Sequence, residues 1–216
     1  MAVIIFDFDG TIADTLAAIA EIANRLAPLF GFSPAGPEKI KFFQTLSTQQ
    51  LLQQSEISVF KLPFLLRRVK TELRREIQQL NLIPGVRDAL IALSNEGHTL
   101  GIVTSNSADN VHLFLKKHDL ADLFSFIHTG TALFGKSKVL KQVLRRNQLN
   151  ADQVLYIGDE TRDIEAAQKI PIRVVAVSWG FNSHQVLMSK KPDFLIDHPN
   201  ELMQIVTQLE GVKCSR

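Results

Sequence analysis

The spacing of apolar residues changes twice along the chain. Val3–Phe6 is a continuous apolar run with β-branched residues, which is typical of a strand buried on both faces of a parallel sheet. From about residue 15 to 82 the apolar positions return with a helical period instead. Two stripes carry that period: Leu16, Ile19, Ala20, Ile22, Ala23 and Leu26, then Leu62, Leu65, Leu66, Val69, Leu73, Ile77 and Leu80. Residues 31–37 between them are rich in turn formers, and residues 45–54 are polar with helical character.

After Pro84 the pattern alternates between strand and helix. The predicted strands are 99–103, 126–129, 154–157, 174–177 and 194–196, and the predicted helices are 86–96, 107–117, 137–146, 161–168 and about 200–209. Such alternation predicts a doubly wound, Rossmann-like α/β fold with a parallel sheet and right-handed crossovers. Because residues 15–82 offer no clear strand, we interpret them as a helical cap inserted into an α/β core made of residues 1–14 and 83–216.

Composition and charge exclude several classes of protein. With 45% hydrophobic and 21% charged residues, the 216-residue chain has ordinary globular composition. Its net charge of +2 gives no general attraction to nucleic acid or to a membrane surface. A single cysteine, Cys214, the absence of a signal-peptide pattern and the lack of any apolar run near the ~20 residues of a membrane span favour a cytoplasmic protein. The expected partner is a small molecule, and the oligomeric state is open.

The predicted cap is more basic than the core. Residues 15–82 contain nine Lys or Arg against five Asp or Glu, and the excess lies in Lys61, Arg67, Arg68, Lys70, Arg74 and Arg75. One interpretation is a solvated helix face. The other is a cap whose basic face attracts an anionic substrate.

Polar groups follow four of the predicted strands, at the sheet edge where α/β proteins bind ligands. These segments are Asp7-Phe-Asp-Gly-Thr11, Thr104-Ser-Asn-Ser107, Gly135-Lys136 and Gly158-Asp-Glu-Thr-Arg-Asp163. Each alone has a structural explanation, because Ser, Thr and Asp commonly cap helices and form turns. Three acids together, Asp7, Asp9 and Asp159, would repel one another unless a cation lay between them. Mg²⁺ suits a site of one or two carboxylates and substrate phosphate oxygens, for which Thr104 and Lys136 would supply donors.

The order and spacing of these residues resemble the haloacid dehalogenase superfamily. The matching segments are Asp7 to Thr11, Gly101-Ile-Val-Thr-Ser-Asn106, Lys136, and Gly158 to Asp163. Asp14-Thr15, Ser178-Trp-Gly-Phe181 and Lys191-Pro-Asp193 extend the resemblance to the phosphoglycolate-phosphatase-like branch, which carries a helical cap after the first motif. Nearly the whole chain is covered.

The resemblance implies a Mg²⁺-dependent phosphatase that acts on a small phosphorylated metabolite. Asp7 would attack phosphorus and form an aspartyl-phosphate, while Asp9 would protonate the leaving oxygen and later deprotonate water. Thr104, Ser105 and Lys136 would bind the phosphoryl group. The metal would be held by the Asp7 carboxylate, the Asp9 backbone carbonyl and Asp159, with Asp163 in support.

Some alternatives remain open at the level of sequence. Lys138 competes with Lys136, and Glu160 stands where a small residue is frequent in the family, as a surface acid or as a supporting group. A phosphosugar mutase would share the chemistry but pass the phosphoryl group to a sugar, and a catalytically silent phosphate-binding protein would keep only the fold. The six histidines have no metal-binding pattern, since His112 and His118 are not four residues apart.

Overall fold

Six parallel strands form one sheet in the computed structural model, which describes residues 1–129 and 135–213. Their order across the sheet is β3-β2-β1-β4-β5-β6. The strands are β1 (Val3–Phe6), β2 (Thr99–Val103), β3 (Phe124–His128), β4 (Val154–Gly158), β5 (Arg173–Val177) and β6 (Phe194–Ile196). The helices are α1 (Leu16–Phe30), α2 (Pro37–Gln44), α3 (Thr48–Gln54), α4 (Leu62–Glu76), α5 (Val86–Asn95), α6 (Ala108–Lys117), α7 (Lys136–Arg146), α8 (Thr161–Gln168), α9 (His184–Ser189) and α10 (Glu201–Lys213). The predicted α/β fold class is confirmed.

Strand β1 occupies the centre of the sheet. Phe6 pairs with Ile102 of β2 on one side and with Ile157 of β4 on the other. The sheet therefore grows in opposite directions from β1, and a doubly wound sheet has its binding crevice where the strand order reverses, beyond the carboxyl ends. Asp7 is the first residue beyond β1 and lies at that crevice.

Alternate residues of β1 enter different cores. Ile4 and Phe6 belong to the apolar cluster that contains buried residues of α5, α6 and α10, whereas Ile5 belongs to a second cluster, with buried residues of α7, α8 and α9. Because strand side chains alternate between the faces of a sheet, a strand covered by helices on both faces must be apolar throughout. This explains the uninterrupted apolar run at the start of the sequence.

The segment 15–82 consists of helices α1 to α4, with no strand among these described residues. Its long helices α1 and α4 pack together through the predicted apolar stripes, burying Ile22, Leu26 and Leu73 among others. Both connections to the sheet lie side by side, because the Asp14 amide donates to the Asn81 carbonyl (3.0 Å) and the Ile83 amide donates to the Ile12 carbonyl (3.0 Å). The segment thus leaves and re-enters the sheet region at one place.

An apolar cavity of about 310 Å³ lies among the four helices of this segment. Its lining includes Ala20 and Ala23 of α1, Phe43 of α2 and Leu66 of α4, and Glu160 of the α/β part lies at its wall. None of the helices in the described ranges is both long and apolar enough to cross a lipid bilayer.

Several element bounds differ from the sequence prediction, and three of these differences have a clear physical reason. Strand β3 begins at Phe124, two residues early, because a short 3-10 turn (Ala121–Leu123) delivers it to β2 with a register shift that seats Phe126 over Gly101. Helix α2 begins at Pro37, the last residue of the predicted connector; it has only eight residues and none is fully buried, so the apolar pair Ile40 and Phe43 was too short a pattern to predict a helix. Helix α9 has six residues and one buried side chain, Leu187, which is too short for a helical period. Part of the loop before α7 and Cys214 lie outside the described residues.

Candidate active site

Asp7 lies at the carboxyl end of the central strand and is 2% exposed. Its amide still follows the sheet and donates to the Ile157 carbonyl (2.8 Å), so the strand fixes its backbone. The Oδ1 atom accepts a hydrogen bond from the Phe8 amide (2.7 Å), and Oδ2 accepts one from Lys136 Nζ (2.5 Å). The chain then turns at Gly10 (φ +73°), where a Cβ would collide with the Asp159 carboxylate and the Phe181 ring.

Lys136 is the buried cation of the site. This first residue of α7 is 4% exposed, and its ammonium also pairs with Asp163 Oδ1. Burial works against the charged form, but the carboxylates of Asp163 and Asp7 outweigh it and raise the pKa of Lys136 above its usual value. Lys138, the competing candidate, is exposed on the same helix. The structure therefore brings Lys136, and not Lys138, to Asp7.

Asp159 follows strand β4 and is fully buried. Its Oδ1 accepts a hydrogen bond from the Thr11 hydroxyl (2.6 Å) and its Oδ2 accepts one from the Phe181 amide (2.7 Å). Burial first, then the charges of Glu160, Asp163 and Asp7, raise the pKa of Asp159 well above its ordinary value. This carboxylate is thus held firmly in a place where its negative charge is unfavourable without a further cation.

Asp9 is separated from the cationic side of the site. Both of its carboxylate oxygens lie 3.0 Å from Nδ2 of Asn106, which donates to them. Burial first and the charge of Asp7 second raise the pKa of Asp9 to about 7, although the hydrogen bonds from Asn106 oppose the shift. Two carboxylates two residues apart therefore occupy different environments: Asp7 contacts an ammonium group, and Asp9 contacts a neutral amide.

Carboxylate oxygens of Asp7, Glu160 and Asp163 lie within 4.8 Å of one another, a spacing that could hold a metal ion. Burial and the charges of Asp7 and Glu160 raise the pKa of Asp163 to about 6, although Lys136 lowers it. With Asp159, four carboxylates face the two cations Lys136 and Arg162, an excess of two negative charges. A divalent cation with oxygen ligands matches both the excess charge and the donor set, so these residues fit the predicted metal.

The predicted ligands take different places around this cluster. Asp7 and Asp163 belong to it, whereas Asp159 lies beside it with both oxygens engaged by Thr11 and Phe181. Each carboxylate oxygen has two acceptor positions, so these hydrogen bonds leave Asp159 able to bind a cation. The Asp9 side chain points to Asn106, which leaves its predicted contribution as a backbone carbonyl.

The second strand end supplies hydroxyl groups. Thr104 is fully buried, and its Oγ1 accepts a hydrogen bond from the Asn106 amide (3.1 Å), which leaves the hydroxyl hydrogen free to donate. Ser105 is half-buried at the same strand end.

The roles of Asn106 and Phe181 in the site were not predicted from the sequence, and the role of Glu160 was left open. Asn106 lay inside a quoted motif, but nothing in the sequence indicated that it holds Asp9. Glu160 is 17% exposed at its side chain; its carboxylate pairs with Arg162 and belongs to the cluster, so it is not a free surface acid. Phe181 acts through its backbone amide, and such a contact cannot be predicted from the type of side chain.

A comparison with known protein families decides where this arrangement belongs. The family model described as haloacid dehalogenase-like hydrolase matches residues 4–177. The chain belongs to this family. The phosphoglycolate phosphatase of Synechococcus elongatus is 40% identical over 209 residues, which cover 97% of this chain and 99% of that protein. The predicted family is therefore confirmed, and so is the prediction of a phosphatase within it.

Two solved structures share the fold of this chain. A predicted phosphatase from Clostridium acetobutylicum superimposes with a TM-score of 0.81 at 18% identity, covering 96% of this chain and 98% of that one. A putative β-phosphoglucomutase from Thermotoga maritima gives 0.68 at 24% identity, with 96% and 99% covered. Structures described as a phosphatase and as a mutase thus share this fold, so the fold alone does not show whether water or a sugar accepts the phosphoryl group.

Proposed function

We propose that this haloacid dehalogenase-like chain is a Mg²⁺-dependent phosphomonoesterase that works through an aspartyl-phosphate on Asp7. The observation that carries the proposal is the contrast between Asp7 and Asp9. The ammonium group of Lys136 lies 2.5 Å from an Asp7 carboxylate oxygen, whereas Asp9 has a pKa raised to about 7 by burial and the Asp7 charge. Paired carboxylates in different environments are what separate a nucleophile from a group that gives and takes protons near neutral pH.

The residues would act in two steps. An Asp7 oxygen attacks phosphorus in line, the bond from phosphorus to the ester oxygen breaks, and protonated Asp9 gives its proton to that leaving oxygen. Ionised Asp9 then takes a proton from a water molecule as its oxygen attacks phosphorus, and the bond to Asp7 breaks. This releases inorganic phosphate and restores both side chains.

The remaining residues would bind and orient the phosphoryl group. Lys136 and the hydroxyls of Thr104 and Ser105 donate to its oxygens. Asp7, Asp159 and Asp163, together with the Asp9 carbonyl, would hold Mg²⁺. When bound, that ion offsets the repulsion between the carboxylates and the phosphoryl oxygens.

The substrate we propose is a small phosphorylated metabolite such as phosphoglycolate. The Synechococcus relative supports this choice, because it bears that name and aligns over nearly the whole of both chains. We further propose that residues 15–82 form a cap that selects the leaving group, while residues 1–14 and 83–216 form the core that carries out the chemistry. The two connections of the helical segment lie side by side, which supports a cap that moves as one unit about these connections.

The test is a phosphate-release assay on the purified protein, with Mg²⁺ and with excess chelator. The panel contains 4-nitrophenyl phosphate, phosphoglycolate and several sugar phosphates. We expect Mg²⁺-dependent release, fastest from phosphoglycolate, and loss of turnover in Asp7→Asn with an unchanged circular dichroism spectrum. Asp14→Asn is the matched control, because Asp14 is an exposed aspartate in the same segment. Substantial activity in Asp7→Asn would contradict the covalent mechanism, and isomerised sugar phosphate without phosphate release would indicate the mutase.

A further inference from the structure

Two loops of the α/β core are hydrogen-bonded to the turn between α2 and α3 of the helical segment. The Ser183 amide donates to the Gln44 carbonyl (2.8 Å), and Gln44 Nε2 donates to the Gly180 carbonyl (3.2 Å). The Thr48 amide donates to the Thr161 hydroxyl oxygen (3.1 Å). The turn is therefore joined both to the loop after β5 and to the first residue of α8.

Asn182 lies at the centre of these contacts and is 6% exposed. Its side-chain Nδ2 donates to the Leu46 carbonyl (2.9 Å), on the helical segment. Its Oδ1 accepts from the Thr161 amide (2.8 Å), on the core, and its own backbone amide donates to the Asp159 carbonyl (3.2 Å). One buried amide side chain thus bridges the cap side and the core side.

The core contacts of Asn182 reach the proposed metal site. Thr161 is the first residue of α8, and its amide is one of the helix N–H groups that need an external acceptor. The preceding residue, Phe181, donates its amide to Asp159 Oδ2 at 2.7 Å. Residues 181 and 182 therefore hold both the side chain and the backbone of Asp159 while they contact the helical segment.

We propose that Asn182 is a positioning residue that couples closure of the helical segment to the geometry of Asp159. The inference rests on the proposed function, in which the segment 15–82 acts as a cap. When the turn 44–48 moves away, the Leu46 carbonyl leaves Asn182 and can bind water instead. When it returns, the Asn182 amide joins it to the loop that orients Asp159. The movement that encloses the substrate then also aligns the acidic cluster.

Two variants distinguish the contact that the Asn182 side chain makes with the cap from the contact that it makes with the core. Asn182→Asp keeps an oxygen to accept from the Thr161 amide, but it places an oxygen opposite the Leu46 carbonyl, so only the contact with the cap is lost. Asn182→Ala removes both contacts. A hydrogen bond of this kind is worth about one factor of ten in an equilibrium, so closure should be disfavoured about tenfold in each variant.

Hydrogen exchange of single amides in the full-length protein tests the coupling directly. In Asn182→Asp we expect the amides of Thr48 and Ser183 to exchange about tenfold faster, with Thr161 unchanged. In Asn182→Ala all three should exchange faster. Unchanged exchange at Thr48 and Ser183 in Asn182→Asp would overturn the proposal. This readout needs no catalysis, so its failure is distinguishable from failure of the proposed function.

Kinetics supply the second test. In Asn182→Asp we expect kcat/KM to fall about tenfold for phosphoglycolate and to fall for 4-nitrophenyl phosphate as well, because loss of closure also disturbs the alignment of Asp159. In Asn182→Ala both rates should fall further, because the loop that holds Asp159 also loses the contact with the Thr161 amide. A Mg²⁺ titration accompanies each variant, since the aspartate adds a charge near the cluster. A loss confined to phosphoglycolate in Asn182→Asp at saturating Mg²⁺ would contradict the coupling, because enclosure would then fail while Asp159 stayed aligned.

Discussion

Lys136 Nζ lies 2.5 Å from Asp7 Oδ2 and also pairs with Asp163, with less than 4% of any of these side chains exposed. An ammonium group so placed offsets the repulsion between two carboxylates. It also lies where a phosphoryl group bound to Asp7 would need a donor. The same contact therefore serves both folding and the proposed chemistry.

Replacing Lys136 with Ala should lower both the stability of the fold and the catalytic activity. Leaving buried carboxylates without their partner costs about 3–5 kcal/mol when nothing compensates, although protonation or a bound cation would reduce this. We expect a lower melting temperature and a fall in kcat/KM of about 10²–10³, in line with the loss of a charged transition-state donor. Thermal denaturation and steady-state assays measure the two effects.

Lys138→Ala is the matched control for Lys136, because Lys138 is exposed on the same turn of α7. It should change activity by less than about twofold. If the two variants lost activity equally, the assignment of the phosphate-binding lysine would be wrong.

Mg²⁺ should stabilise the fold measurably, because the acidic cluster carries an excess of negative charge. A ligand at a hundredfold excess over its Kd stabilises the native state by about 2.7 kcal/mol, which corresponds to roughly 5–10 °C in melting temperature for a chain of this size. Differential scanning fluorimetry with and without chelator tests this independently of activity. Asp163→Asn should reduce the shift, whereas Asp14→Asn should preserve it. A shift that persisted in Asp163→Asn would place the ion elsewhere.

Calcium provides a sharper version of this test. Ca²⁺ accepts more ligands at longer distances than Mg²⁺ and allows a carboxylate to bind through both oxygens. A carboxylate of Asp7 bound in that way would be poorly aimed at phosphorus. We therefore expect Ca²⁺ to raise the melting temperature but to support little turnover, and equal activity with both ions would contradict the proposed role of Asp7.

The sequence predicted which acidic residues would come together, because each of them directly follows a predicted strand. Asp7, Asp9 and Asp159 follow strands, and a parallel sheet brings strand ends together whatever its loops do. The partners of these acids were harder to predict. Asn106 is 97 residues from Asp9 and Thr11 is 148 residues from Asp159, so each pair depends on the final packing. The strand β6 and the helix α8 match their predicted bounds because each has a clear pattern and clear ends.

The apolar cavity of about 310 Å³ offers a stability prediction with an internal control. Ala23 of α1 lines the cavity, whereas Ala27, one turn later, is fully buried against other residues. Ala23→Leu should therefore be neutral or stabilising, since the added methyl groups enter open apolar space. Ala27→Leu should cost about 1–3 kcal/mol through overpacking. Urea denaturation of both variants measures the difference, and equal destabilisation would mean that the cavity cannot accept a side chain.

Removal of the helical segment tests the division of labour between cap and core. The amide of Asp14 bonds to the Asn81 carbonyl, so a short linker can replace residues 15–82 without moving the ends of the core. Such a variant keeps Asp7, Asp9, Lys136 and Asp159 but loses the turn that contacts Asn182. We expect it to hydrolyse 4-nitrophenyl phosphate slowly and to lose discrimination among phosphorylated metabolites, because enclosure of the substrate would be lost.

The informative quantity in that experiment is the ratio of specificity constants across the substrate panel, compared between intact and shortened proteins. Circular dichroism and a cooperative melting transition establish that the shortened core is folded. If it is folded and ranks the substrates as the intact protein does, the helical segment does not select the leaving group. The basic surface of α4 would then be a solvated face, as the pairing of Arg68 and Arg75 with Glu72 already suggests for two of its arginines. If the ranking collapses, selection resides in the cap, and Lys70, which is half-buried on α4, becomes the first residue to vary.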